Sequence, residues 1–403
     1  MTTLIFVSAV SMLILVLQDA FEVMLLPRRV HRRVRLMRFF FKVTWAIWSR
    51  MAGHRAAGAS RERFLSIYGP LSMLVLFALW AAGLIVAFGL IEWALQTPAG
   101  ERSPVGEQIY MSGVTFFTLG YGDVVPRGGA ARFVAVTEAG TGIGFIAVVI
   151  GYLPVLYQLF SRREAHVLQL DGRAGTPPTA VTLLKRHVEA NRLDKLDILL
   201  REWEIWGAEL LESHLSYPML VFYRSQHHDQ SWLAALTAIM DTCAMILVGI
   251  EDVSHLQARM TFTLARQVVV EMSHSLRIAP ARQRAQNRLP HETFTRMEAL
   301  FNEIGLKWKG ADSTEEILAA LRATYEPFLE GLAARLLLAL PHFLPEADAI
   351  DHWEQGPRGL VASRLMKELA ERQNGFPGRG AGQVKRWRWL RSRLKRDESQ
   401  YRN

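Results

Sequence analysis

The residues best placed to do chemistry lie in one short stretch, TFFTLGYGDVVP, Thr115 to Pro126. Its central part, Thr118-Leu119-Gly120-Tyr121-Gly122-Asp123, offers backbone more than side chain. Carbonyl oxygens arranged in rings can replace the hydration shell of a monovalent cation. A row of carbonyls facing one axis needs backbone angles that residues with side chains resist. Glycine takes positive φ at little steric cost, so Gly120 and Gly122, at alternate positions, permit such a row. One chain supplies one row only. A ring therefore demands rotational symmetry, with four chains about one axis.

The elements that must hold this stretch are apolar and long. Leu4 to Leu26 exceeds the roughly 20 residues that cross a bilayer, although Asp19 and Glu22 near its end weaken it. No basic segment precedes it and no small-x-small site follows it, so it reads as a retained span and not as a signal peptide. Pro27 ends it. Arg28 to Arg38 is dense in arginine. It is too polar and short for a voltage-sensing helix and fits the positive-inside rule, which puts it in the cytoplasm and the N-terminus outside. Phe39 to Trp48 mixes aromatic residues with flanking charge, as a helix lying in the interface does. The second span is Tyr68 to Leu95, read as unbroken and apolar, and the third is Ala131 to Phe160. A polar loop, Gln96 to Gly106, follows the second span, and basic Ser161 to Glu164 follows the third. The topology is three spans, N-terminus out and C-terminus in.

Between the second and third spans, Gln108 to Phe117 is too short to cross, while both flanking spans need their shared end outside. The segment must dip in and return, with its backbone against water or protein and not lipid. A short helix with an extended return fits, and the helix C-terminus aims partial negative charge at a cation. Here the sequence resembles the potassium-channel family. The stretch TFFTLGYGDVVP looks like that family's pore signature, with Leu119 where valine is common, and the resemblance covers about Tyr68 to Phe160. It implies a homotetramer in which the carbonyls of Thr118, Leu119, Gly120 and Tyr121, with the Thr118 hydroxyl, coordinate dehydrated K⁺. Tyr121 would brace the filter, and Asp123 would stand at the outer mouth. Many members carry a carboxylate four residues before the filter threonine. This chain has Val114 there, which puts filter stability and inactivation in doubt.

The third span contains Gly140 to Gly144. The resemblance suggests a hinge in the pore-lining helix, with Gly142 and Gly144 as candidates; close helix packing is the other reading of these glycines. Gly151 and Pro154 are expected to bend the same helix near its cytoplasmic end, where a gate would form. Glu138 is an ionisable residue inside a span, a functional candidate by default. It would face the pore helix or the back of the filter and stand in for the acid missing at Val114, or else be a protonated or hydrogen-bonded glutamate between helices.

The expected fold class is an all-α membrane protein: outer helix, pore helix, filter and inner helix, preceded by one extra N-terminal span and followed by a helical cytoplasmic domain. The expected divisions are 1–27, an N-terminal transmembrane helix; 28–66, a basic cytoplasmic or interfacial segment; 67–160, the pore; 161–375, the helical domain; and 376–403, a basic tail. Apolar residues recur at three- and four-residue spacings after about residue 165. Trp232 to Glu251 has a span's apolarity, but Asp241 at its middle is costly in lipid, so a buried core helix is expected. A G-x-G-x-x-G motif after a strand is not found. The histidines of SQHHDQ, Ser225 to Gln230, with His214 or His255, match no established zinc spacing. The lone Cys243 excludes an internal disulfide. No catalytic constellation is recognisable, so no enzyme and no cofactor is expected, with K⁺ only as the permeant ion.

The 403-residue chain carries a formal net charge of +9. Lys385 to Arg396, interleaved with Trp387 and Trp389, suits an anionic lipid surface, and no nucleic acid partner is expected. The sequence thus reads as a K⁺ channel of a prokaryotic plasma membrane, gated at the inner helix by a cytoplasmic signal it does not disclose. The alternative is a membrane-tethered helical sensor or scaffold with a non-conducting pore, and a non-selective cation pore is a third option.

Overall fold

The computed structural model describes residues 2–26, 36–55, 58–96, 104–226, 229–251, 253–281, 287–310 and 312–345. Among these the regular structure is helical, and the β contact is an isolated antiparallel bridge, Ile250 to Trp308. Arg28–Arg35, most of the loop after the second span, His227, His228 and the tail Lys385–Arg396 lie outside the described residues.

Five helices build the apolar half: α1 (Thr2–Met24), α2 (Leu36–Gly53), α3 (Ala59–Gln96), α4 (Val105–Phe116) and α5 (Gly129–Ala174). Three of them, α1, α3 and α5, are long and apolar enough to cross a membrane. In α1 the residues Ala9, Val16, Ala20 and Val23 fall on one buried face against α3, as their three- to seven-residue spacing dictates. Asp19 lies on the same face, where its carboxylate accepts hydrogen bonds from Trp80 Nε1 at 3.1 Å and the Met37 amide at 3.2 Å. The charge that weakened this span is therefore partnered.

The helix α4 packs between α3 and α5. The last of these three runs on to Ala174, well past the sequence boundary at Phe160. Nothing between Ser161 and Ala174 breaks a helix. It stops at Gly175, whose φ of 82° carries its amide onto the Asp171 carbonyl at 3.0 Å.

The remaining helices form a bundle: α6 (Ala180–Glu189), α7 (Leu196–Ser216), α8 (Trp232–Val248), α9 (His255–Leu276), α10 (His291–Glu303), α11 (Asp312–Arg322) and α12 (Glu326–Leu336). At its centre is α8, buried at every residue from Trp232 to Ile246. Asp241 accepts hydrogen bonds from both Arg288 and Tyr325, the latter at 2.7 Å, and the same arginine reaches Glu326 at 3.3 Å. A charge that lipid would reject is neutralised by a buried partner. The expectation of a core helix here agrees with the structure. Cys243 is buried in the same helix, which pushes its thiol pKa up.

Candidate functional site

The pore helix α4 ends in a Schellman arrangement. The Thr118 amide bonds the Thr115 carbonyl at 3.0 Å, and the Leu119 amide bonds the Val114 carbonyl at 2.8 Å. This closure requires a left-handed residue at Thr118, and its φ is 59°. Glycine usually fills that position. A β-branched residue there is an outlier that costs about 1 kcal/mol. Positive φ recurs at alternate residues, 61° at Gly120 and 78° at Gly122. An extended strand points successive carbonyls to opposite sides. Alternation in the hand of φ turns them towards one side.

In the single chain this loop lies open: Leu119 is 55% and Tyr121 67% exposed. Asp123 is tied back to the pore helix, accepting from the Tyr110 hydroxyl at 3.0 Å, while its other oxygen accepts from the Val124 amide at 3.0 Å.

Two glycines let neighbouring helices close on α4. A Cβ on Gly89 of α3 would stand 2.7 Å from Ile109 Cα, and one on Gly142 of α5 would stand 2.0 Å from the Phe116 carbonyl oxygen. Gly142, named as a hinge, thus has a packing reason to be glycine. Gly144 and Gly151 meet nothing within 4 Å. Pro154 is exposed within an unbroken α5.

Behind the pore helix is a polar cluster. Glu138, fully buried on α5, receives a short hydrogen bond from the Ser112 hydroxyl, which also lies 2.7 Å from the Ile85 carbonyl. Glu138 therefore reaches the pore helix at Ser112, two positions before Val114. Glu92 of α3 is also fully buried, and neither of its oxygens has a hydrogen-bond partner among the described residues. Gln96 closes the upper end of the cluster, donating to Gln108 Oε1 at 2.9 Å. The second span is one continuous helix, as read, and it carries a buried acid, Glu92, within its apolar run. The signal was an acid between Ile91 and Trp93, masked by the hydropathy around it.

The ends of the apolar helices remote from the Thr118–Asp123 loop meet the bundle at a 3₁₀ turn, Pro218–Phe222. Phe222 stacks on Phe41 of α2, with ring centroids 5.5 Å apart and planes 6° from parallel. Arg163 of α5 is buried and donates to the carbonyls of Leu220 at 2.9 Å and Tyr223 at 2.7 Å. Its Nη1 stands 3.2 Å from His214 Nε2, and His214 Nδ1 bonds the Leu210 carbonyl at 2.8 Å. Both ring nitrogens are engaged, which leaves none for a metal. Burial, with the Arg163 guanidinium beside it, pushes the His214 pKa down to about 3. Arg163 had served only as a charge marking the cytoplasmic side. Its role as a buried anchor has no signature in local sequence.

Residues 73–158 match the model of a family described as ion channel. A 208-residue stretch is 25% identical to the uncharacterized membrane protein YdjJ of Bacillus subtilis (strain 168), covering 50% of this chain and 59% of that protein. The matched stretch thus spans less than two thirds of that relative's length. No solved structure matches. The matched residues take in most of α3, all of α4 and the first part of α5, two helices long and apolar enough to cross a membrane with the short helix between them.

Proposed function

We propose that the chain is the subunit of a potassium-selective channel, a homotetramer in a prokaryotic plasma membrane that passes K⁺ down its gradient. The N-terminus is outside, the helical bundle is cytoplasmic, and the inner helix α5 carries the gate. The observation that carries this reading is the alternation of positive φ at Thr118, Gly120 and Gly122 immediately after a re-entrant helix. In this reading the carbonyls of Thr118, Leu119, Gly120 and Tyr121 dehydrate the ion, each chain lending one quarter of every ring. The exposure of Leu119 and Tyr121, and of Phe133, Val136, Ile143 and Ile150 along α5, supports further copies packed against this face.

The test is flux of K⁺ and of Na⁺ into liposomes holding the purified protein, beside Gly122→Ala. A methyl group at φ 78° strains the filter backbone. The expected result is K⁺-selective flux in the parent and its loss in the variant. Equal flux of the two ions would overturn selectivity. Flux unchanged in the variant would remove the filter from the path. A scaffold with a silent pore would give no flux even after the gate is opened by truncation of the bundle.

A further inference from the structure

A cleft of about 310 Å³ opens where α5 ends, between its last turn, α6 and the start of α7. Arg173, Arg186, Arg192 and Lys195 line it, opposed among its lining residues by the carboxylate of Glu202. Its wall also includes Ile198, which is 53% exposed. Arg173 pairs with Glu202 at 3.6 Å, and Lys195 pairs with Asp194 at 3.5 Å. No ion pair engages Arg192 among the described residues. Arg186 caps α5 itself, donating to the carbonyls of Asp171 at 3.2 Å and Gly172 at 2.5 Å. His187 Nδ1 is bonded to the Leu183 carbonyl at 2.8 Å, so Nε2 is the ring nitrogen left for a ligand.

Four cations converging on a concave site that also has an apolar wall match a compact polyanion with an apolar portion. The size is at the small end for ligand sites, suited to one or two phosphate groups and a modest organic part. The cleft lies about 20 Å of helix beyond Phe160, from the rise of an α-helix. That distance from the apolar stretch of α5 favours a soluble anion over a lipid headgroup. We propose that this cleft binds a small, soluble, phosphate-bearing anion, held by Arg173, Arg186, Arg192 and Lys195, which fixes the end of α5 against α6. This binding does not depend on whether the pore conducts.

The test is calorimetric titration of sodium diphosphate into the full-length protein in detergent and in nanodiscs, together with Arg192→Glu/Lys195→Glu and a control, Arg259→Glu, on exposed α9 surface. Saturable binding is expected in the parent, about tenfold weaker in the double variant from loss of charge-assisted contacts, and unaltered in the control. Diphosphate should also slow amide exchange at the last turn of α5. If the double variant fails to fold, Arg192→Gln serves instead. Absence of saturable binding, or equal weakening in the control, overturns the site. Nanodiscs of pure phosphatidylcholine and of phosphatidylglycerol should give the same affinity. Loss of binding in phosphatidylglycerol alone would overturn the soluble source and assign the cleft to a lipid headgroup.

Discussion

At the residue scale, Thr118 holds the main tension. Glycine would close the pore helix without strain, yet a β-branched residue occupies the left-handed position. Thr118→Gly is expected to leave thermal stability in detergent equal or higher, by up to about 1 kcal/mol, while K⁺ over Na⁺ selectivity falls with loss of the hydroxyl. A loss of stability with selectivity intact would contradict this. Glu138 gives a second prediction. The Ser112 hydroxyl lies between the Ile85 carbonyl and the Glu138 carboxyl and joins α4 to both flanking helices. Glu138→Gln keeps a hydrogen-bonding group against Ser112 and should retain assembly and melting temperature, whereas Glu138→Leu removes that bond while leaving the one to Ile85 and should lower stability by about 1 kcal/mol. Equal behaviour of the two variants in thermal unfolding would rule that out. The sequence displayed Glu138 plainly because Thr137, Ala139 and Gly140 beside it are small and only weakly apolar. It hid Glu92 within the hydropathy of its flanks. It could not reveal that Gly142 faces the Phe116 carbonyl, because that contact joins residues on two helices.

At the element scale, the account turns on the joint between α5 and the bundle. Arg163 crosslinks α5 to the turn Pro218–Phe222, and Arg224, next in that segment, donates to the Leu337 carbonyl at 3.1 Å beside α12. Arg163→Met leaves the Tyr223 carbonyl without its donor and takes one of two donors from the Leu220 carbonyl, which the Tyr223 amide still bonds, and should cost about 2 kcal/mol, read as a lower unfolding midpoint of the purified protein; an unchanged midpoint would remove Arg163 from the joint. His214 adds a pH dependence. Its folded pKa is depressed from 6.5 to about 3, so the unfolded chain takes up a proton there that the folded one refuses. Stability should fall as pH drops below about 6.5, by up to about 1.4 kcal/mol per pH unit. His214→Gln should flatten that slope, and an identical slope in the variant would contradict the assignment. The length of their apolar runs made α1 and α3 legible, and helix periodicity did so for the bundle helices. The length of α5 was not, because charged Ser161 to Glu164 looked like an end when in fact these residues turn one face of a continuing helix into the bundle.

At the scale of the whole molecule, the proposed tetramer accounts for what the single chain leaves exposed. Its most distinctive backbone is exposed, and the outer face of α5 presents Phe133, Val136 and Ile150 without a covering neighbour among the described residues. Lipid can cover part of that face; in the proposed tetramer the other three copies would both cover it and complete the carbonyl ring. Native mass measurement is expected to give four chains, and Gly142→Ala should lower the tetramer yield, since its Cβ would stand 2.0 Å from a backbone oxygen. Gly144→Ala, with nothing within 4 Å inside the chain, should be the milder change. A normal tetramer from Gly142→Ala would overturn the packing role. The positive φ at Gly120 and Gly122 was legible because glycine spacing specifies backbone conformation locally. The joint and the basic cleft were not, because they bring together residues tens of positions apart.

The most direct measurement is the reversal potential of the protein in a planar bilayer with K⁺ on one side and Na⁺ at equal concentration on the other. The account predicts a reversal potential displaced far towards K⁺ permeation in the parent, with the displacement lost in Gly122→Ala. A reversal potential near zero with robust current would show that the glycine-spaced carbonyl row does not select K⁺, and would contradict the central claim.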